Sequence, residues 1–227
     1  NPARYLDCLQ FMLAPYAPGA DPLRAGDTAR AADVINNSWG CPPIEGCDPT
    51  SLQPAVDALR AAGIFVVASA GNEGAACGSV RDPIAIYDSA FSVGAVDRAG
   101  NVTSFSSRGP VEADGSGRTK PDIVAPGADI LSAQPGGTYG RADGTSMAGP
   151  HVAGVVALMM LTWKKGNELV EEARHRAGGA PPPAEPPALG VSVPSVLGEE
   201  GDSSLGDGEV DEEASVVGSS SELQAAS

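Results

Sequence analysis

The 227-residue sequence predicts an α/β fold, a parallel sheet flanked by helices, and three observations carry that expectation. Ile64-Phe65-Val66-Val67-Ala68 is an unbroken apolar, β-branched run of strand length, as a strand buried on both faces requires. It is preceded by a short strand pattern at Val34 to Trp39 and a helical pattern over 51–62, so the order is strand, helix, strand. That order is a βαβ unit, which implies a parallel sheet. From Thr145 to about Thr162 the chain is apolar nearly all round, the pattern of a helix set in the middle of a core.

The other elements follow in chain order. Residues 3–14 set Tyr5, Leu6, Leu9, Met12 and Leu13 on a helical stripe that Pro15 ends. A loop rich in Gly, Pro and Asp runs to about Ala32, and the strand from Val34 is stopped by Gly40 and the double proline. The helix over 51–62 has Thr50 or Ser51 as its N-cap and Gly63 as its stop. Phe91 to Val96 and the short Ile123-Val124 are further strands, and Gly137 to Gly144 is a small hairpin or extended loop.

Composition divides the chain. Residues 1–163 carry 10 Lys and Arg against 16 Asp and Glu, whereas residues 164–227 carry 4 against 13, more than half of the net charge of −15. Residues 1–163 are therefore read as the globular part and 164–227 as a low-complexity acidic tail. Residues 180–227, rich in Pro, Gly, Ser, Glu and Asp, bury too little apolar surface to offset their ordering entropy, so disorder is expected there. An acidic interaction tail is the alternative. No stripe of Lys or Arg exists to neutralise phosphates, which argues against nucleic acid as a partner. The longest apolar run, Val152 to Leu161, falls short of the ~20 residues of a membrane span, so no membrane is expected.

Of the four cysteines, Cys41 and Cys47 could close the loop C-P-P-I-E-G-C as a disulfide or remain free buried thiols. The C-x2-C spacing and nearby His ligands of a zinc site are missing, so no metal ligands are assigned.

Two segments carry chemistry. In Gly144-Thr145-Ser146-Met147-Ala148-Gly149-Pro150-His151-Val152-Ala153-Gly154, Ser146 stands in the first turn of the apolar helix. Unpaired N–H groups and the positive end of the helix dipole point there, which favours negative charge developing beside the hydroxyl. Ser69-Ala70-Gly71-Asn72-Glu73-Gly74 directly follows a buried strand, where ligand sites of parallel sheets lie, and Asn72 can aim its amide at an oxyanion. Taken singly, a helix N-cap and an ordinary turn explain these residues equally well.

Together with Asn36-Asn37-Ser38-Trp39-Gly40 and Ala125-Pro126-Gly127, they resemble the subtilase family of serine peptidases, over roughly residues 1–161 and in the family's order. The serine box G-T-S-M-A-x-P-H-V-A-G is long and specific, and the rival hydrolase signature G-x-S-x-G fails because Ala148 follows Ser146 two positions on. The resemblance implies a subtilisin-like fold, endopeptidase activity on polypeptides through an acyl-enzyme, and secretion. It makes Ser146 the nucleophile and Asn72 an oxyanion donor beside the N–H of Ser146. Ser38, Trp39 and Gly40 become the strand that pairs with extended substrate. Ala70, Gly71 and Glu73 become the floor and rim of the pocket for the residue before the scissile bond, where Glu73 would favour a basic side chain. Structural calcium is common in the family, but no acidic loop here is assigned to it.

The family's catalytic Asp and His motifs precede the region where this chain begins, so the expectation is a partial peptidase domain, inactive alone. His151 lies about 140° around the helix from Ser146 and is read as a buried structural residue. His175 has no evident orienting acid. A non-catalytic peptide-binding module is the competing reading.

Overall fold

A computed structural model describes residues 1–176. The side chain of Asn1 caps α1 (Pro2–Leu13) by accepting from the N–H of Ala3 at 3.0 Å, and Leu9 anchors the helix in the core. A short helix α2 (Pro22–Ala25) and a 3-10 turn (Thr28–Arg30), opened by the carboxylates of Asp21 and Asp27, lead to β1 (Val34–Asn37). The strand expected to reach Trp39 ends two residues earlier, because Ser38 turns to bond with the serine helix described below.

Helix α3 (Gln53–Ala61) starts at a cap on Leu52, not on Thr50 or Ser51. Those two are held in the preceding turn: Asp48 Oδ1 accepts from the N–H and hydroxyl of Thr50 at 2.7 Å each, and Ser51 Oγ accepts from the N–H of Asp48 at 2.9 Å. The N–H of Leu52 instead donates to the buried Tyr87 hydroxyl at 3.2 Å. A neighbouring loop thus supplies the cap that the sequence places locally.

Strands β2 (Phe65–Ser69), β3 (Phe91–Val96) and β4 (Ile123–Pro126) join β1 in an all-parallel sheet of order β1-β2-β3-β4. Val34 pairs with Phe65, Ser69 with Val93, and Val96 with Pro126. Successive side chains point to opposite faces of a strand. Val66 and Ala68 therefore join Ile35, Leu52, Val56, Leu59 and Tyr87 on the α3 side, whereas Val67 joins Val93, Ala95 and Ala125 on the other. Each fully buried aliphatic side chain in these layers contributes about 1.5–3 kcal/mol.

β5 (Ile130–Gln134) and β6 (Thr138–Ala142) form an antiparallel hairpin, of which the sequence reading held only the second half. Most of its residues are exposed, so no apolar alternation marks β5.

Helix α4 (Thr145–Arg176) crosses the second face of the sheet and runs unbroken through Trp163, placing residues 164–176 in its last turns. Only Thr145, Ala148, Gly149 and Val152 are buried; Val155, Leu158, Met159 and Leu161 are exposed, contrary to the expectation of a helix enclosed all round. Its apolar pattern exceeds what one sheet face can cover. By length and composition alone α4 could cross a membrane, since an 18-residue window of it has mean hydropathy 1.3; the sequence reading did not anticipate a helix of this length. Its first two turns nonetheless pack on the sheet as a core helix does. Residues 177–227, including the expected disordered stretch, lie outside the described residues.

Cys41 and Cys47 form a disulfide with Cα atoms 5.7 Å apart, while Cys8 and Cys77 are free and exposed.

Candidate active site

The site forms where the C-terminal ends of β1 and β2 meet the first turn of α4. Gly144, immediately before the helix, has φ +150°, a conformation that favours glycine. Its N–H donates to Gly127 O at 2.8 Å, and its carbonyl accepts from Met147 N–H at 3.0 Å. The helix then starts sharply, with Ser146 as its second residue.

Pro150 sits inside this helix and has no N–H, so the carbonyl of Ser146, four residues earlier, loses its ordinary helical donor. The hydroxyl of Ser38 takes that place at 3.0 Å and is itself held by Asn36 Nδ2 at 2.8 Å. The Ser146 hydroxyl donates back to Ser38 O at 3.3 Å. Gly149 allows this close approach: a Cβ there would come within 2.5 Å of Asn36 Oδ1.

Asn72 is oriented by Thr145, which is fully buried. A backbone N–H can only donate, so the side-chain atom 2.9 Å from Thr145 N is Oδ1, which also lies 3.1 Å from the Thr145 hydroxyl. Nδ2 is thereby turned away from Thr145 and has no partner among the described residues. The Thr145 hydroxyl also accepts from Gly71 N–H at 3.2 Å, tying the loop after β2 to the helix start. Ser107, also buried, pins that loop from below: its N–H donates to Gly71 O at 3.1 Å and its hydroxyl to Glu73 Oε2 at 2.9 Å.

All eight residues singled out in the sequence, Ser38, Trp39, Gly40, Ala70, Gly71, Asn72, Glu73 and Ser146, line one cavity of about 180 Å³. Trp39 is braced by Tyr5, whose ring stacks on it at 4.2 Å. The cavity also includes Ser69, Asp82 and Ala85, which the sequence reading missed. No motif marks Asp82; its loop folds back to line the cavity. Its carboxyl is held above the usual carboxylate range, first by desolvation and then by the charge of Glu73, against the pull of Arg81.

His151 is exposed, not buried as expected, because it lies on the side of α4 away from the sheet. Its Nδ1 lies 2.9 Å from Met147 O, so that nitrogen carries a proton and donates. His175 stands about 44 Å along the helix from Ser146 at 1.5 Å per residue. Neither imidazole can take the Ser146 proton. No cluster of His, Cys, Asp and Glu among the described residues is placed to hold a metal.

A serine at a helix start is thus clamped to an amide-bearing loop beside one cavity. Residues 18–176 match the Subtilase family, and the chain belongs to that family. It is 45% identical over 130 residues to Subtilisin of Bacillus pumilus, covering 56% of this chain and 42% of that protein. It is 41% identical over 162 residues to Bacillopeptidase F of Bacillus subtilis (strain 168), covering 69% of this chain and 10% of the relative. Among solved structures, the prenylagaramide maturation protease PagA matches with a TM-score of 0.51 and 25% identity, covering 80% of this chain and 53% of PagA. The matched region thus spans less than half the length of the subtilisin relative.

Proposed function

We propose that this chain is the nucleophile-bearing part of a serine endopeptidase, with Ser146 forming the acyl-enzyme and the catalytic Asp and His supplied by a segment outside these residues. One observation supports it above the others. Asn72 Oδ1 is engaged by Thr145, which leaves Nδ2 free beside the cavity that Ser146 lines. Attack by Ser146 Oγ on a peptide carbonyl moves negative charge onto its oxygen. Nδ2 of Asn72 and the first-turn N–H of Ser146 would stabilise that oxyanion, and the hydroxyl proton would pass to the imidazole. Ser38 to Gly40 would hold the extended substrate. The outside segment would also cover the exposed Val155, Leu158 and Leu161 of α4. The disulfide and the family favour a location outside the cytoplasm.

The absence of a base within reach of Ser146 among the described residues favours the second reading, a peptide-binding module without catalysis. One experiment separates them. Full-length protein is expected to hydrolyse a peptide anilide, and Ser146→Ala to abolish turnover. The 227-residue chain alone should be slower by about 10⁶, the cost of lacking the base. Hydrolysis by the isolated chain that Ser146→Ala abolishes would refute the outside-segment reading. Undiminished turnover by full-length Ser146→Ala would refute the nucleophile.

A further inference from the structure

We propose that Tyr5 and Glu45 are positioning residues for peptide binding: together they fix the Trp39 wall of the cavity, and the disulfide-closed loop from Cys41 to Cys47 is the frame from which they do so. The inference rests on the peptidase reading above and adds to it two residues outside the cavity.

Trp39 and Gly40 line the cavity, and the chain enters the disulfide loop at the next residue, Cys41. Both half-cystines are buried, and Pro42 and Pro43 fix the backbone between them. A 3-10 turn over Pro43–Glu45 follows, and Gly46, at φ +91°, returns the chain to Cys47. Cys41 N–H donates to Pro83 O at 2.9 Å, which ties the loop to the segment that carries Asp82. Glu45 is therefore an exposed side chain on a braced backbone.

Tyr5, on α1, is held at both ends by this one stretch of chain. Its ring stacks on Trp39, with centroids 4.2 Å apart and planes 16° from parallel, and its hydroxyl donates to Glu45 Oε2 at 2.5 Å. The stack sets Trp39 against the Tyr5 face, and the hydrogen bond stops that face from sliding. The acceptor is a carboxylate, so the bond is charge-assisted, and it is the first cause that holds the Tyr5 phenol above its ordinary value. Trp39 and Tyr5 are both half-buried at the margin of the core, where burial restrains a side chain less than in the interior. The stack and the bond to Glu45 supply the missing restraint. A wall already ordered costs an extended peptide less on binding, so loss of either residue weakens binding and leaves the chemistry at Ser146 unchanged.

The test uses full-length protein and two substrates: an extended peptide anilide, and p-nitrophenyl acetate, whose acetyl group offers no chain to lie along Ser38 to Gly40. On the anilide, Tyr5→Ala removes both contacts and should raise KM by about 5- to 10-fold at unchanged kcat. Tyr5→Phe and Glu45→Ala each remove only the hydrogen bond and should raise KM by about 2- to 3-fold. Combining these two should add nothing to either, because both delete the same bond. Glu45→Gln keeps an acceptor and should restore most of the affinity. Acetate hydrolysis should stay within about twofold of the parent in every variant. A poorly folded variant loses activity on both substrates in proportion, so the split between them reads positioning alone. Equal losses on the two substrates would overturn the inference, as would an unchanged KM for Tyr5→Ala or independent effects of Tyr5→Phe and Glu45→Ala. In each of those cases Ser146→Ala still abolishes turnover and the peptidase reading stands. Failure of full-length protein to cleave the anilide would remove the peptidase reading and the inference with it.

Discussion

Thr145→Val tests whether the helix start holds the Asn72 amide, the proposed oxyanion donor, in place. The substitution keeps the volume of a fully buried side chain but removes its hydroxyl, so water cannot readily replace what is lost. Two losses follow. The N–H of Gly71, 3.2 Å from that hydroxyl, is left without its acceptor, which costs about 1–3 kcal/mol for a buried donor. Gly71 is only part-buried, which places the expected loss of stability near the lower end, about 1–2 kcal/mol. Asn72 Oδ1 loses one of two anchors, the hydroxyl at 3.1 Å, and keeps the N–H of Thr145 at 2.9 Å. One neutral hydrogen bond is worth about 0.5–1.5 kcal/mol net, so kcat should fall by about 2- to 10-fold.

Asn72→Ala sets the scale for comparison. It removes the donor itself, and loss of one such donor in a serine peptidase of this family costs about 10²–10³ in kcat. Thr145→Ser keeps the hydroxyl and should restore most of both properties. The measurements are kcat and KM on full-length protein, with urea unfolding of the same samples. A Thr145→Val defect as deep as that of Asn72→Ala, at unchanged stability, would refute the two-anchor argument. No change in either property would refute it equally.

Three further outcomes are expected. Cys41→Ser with Cys47→Ser opens a loop of sequence separation 6 and should cost about 2 kcal/mol of stability by urea unfolding. Gly149→Ala should destabilise by about 1 kcal/mol, as collision with Asn36 outweighs the gain in helix propensity, whereas Gly154→Ala meets nothing within 4 Å and should stabilise this chain by about 0.5–1 kcal/mol. Desolvation pushes the Tyr87 hydroxyl up to about 12, against an ordinary value of about 10. Its contribution is intact below about pH 10 and is lost as pH rises through the folded value, by about 2–3 kcal/mol in all. Tyr87→Phe should show no such alkaline loss, yet be less stable at neutral pH because Leu52 N–H then lacks its acceptor.

What the sequence showed and what it hid divide along a physical line. The parallel strands were legible because Ile64 to Ala68 and Phe91 to Val96 are apolar runs whose burial is a local property. The cap of α3 was not, because Tyr87 reaches Leu52 from 35 residues away. The inner face of α4 was legible, but its outer face was not, since periodicity records a capacity for burial and not the surface available to meet it. Ser146 and Asn72 were singled out by a motif, and the fold sets both on one cavity. Asp82 follows Glu73 by nine residues without any pattern, and only the folded loop brings it to the cavity.

The length of the serine box has a mechanical explanation. Gly144 supplies a backbone conformation, and Thr145 clamps the Asn72 loop. Ala148 is fully buried against Gly127, whose own Cβ would strike the Gly144 carbonyl at 2.7 Å. Gly149 lets Asn36 approach, and Pro150 withholds the N–H that would otherwise occupy the Ser146 carbonyl, which leaves it for Ser38. Val152 closes the contact with the sheet. Of these, Thr145, Ala148, Gly149 and Val152 are buried on the inner face of the helix. Met147, His151 and Val155 lie elsewhere on the helix and are not drawn into these contacts. Substitution along the box should therefore be tolerated with the period of the helix: costly at 145, 148, 149 and 152, and milder at 151 and 155 in this chain.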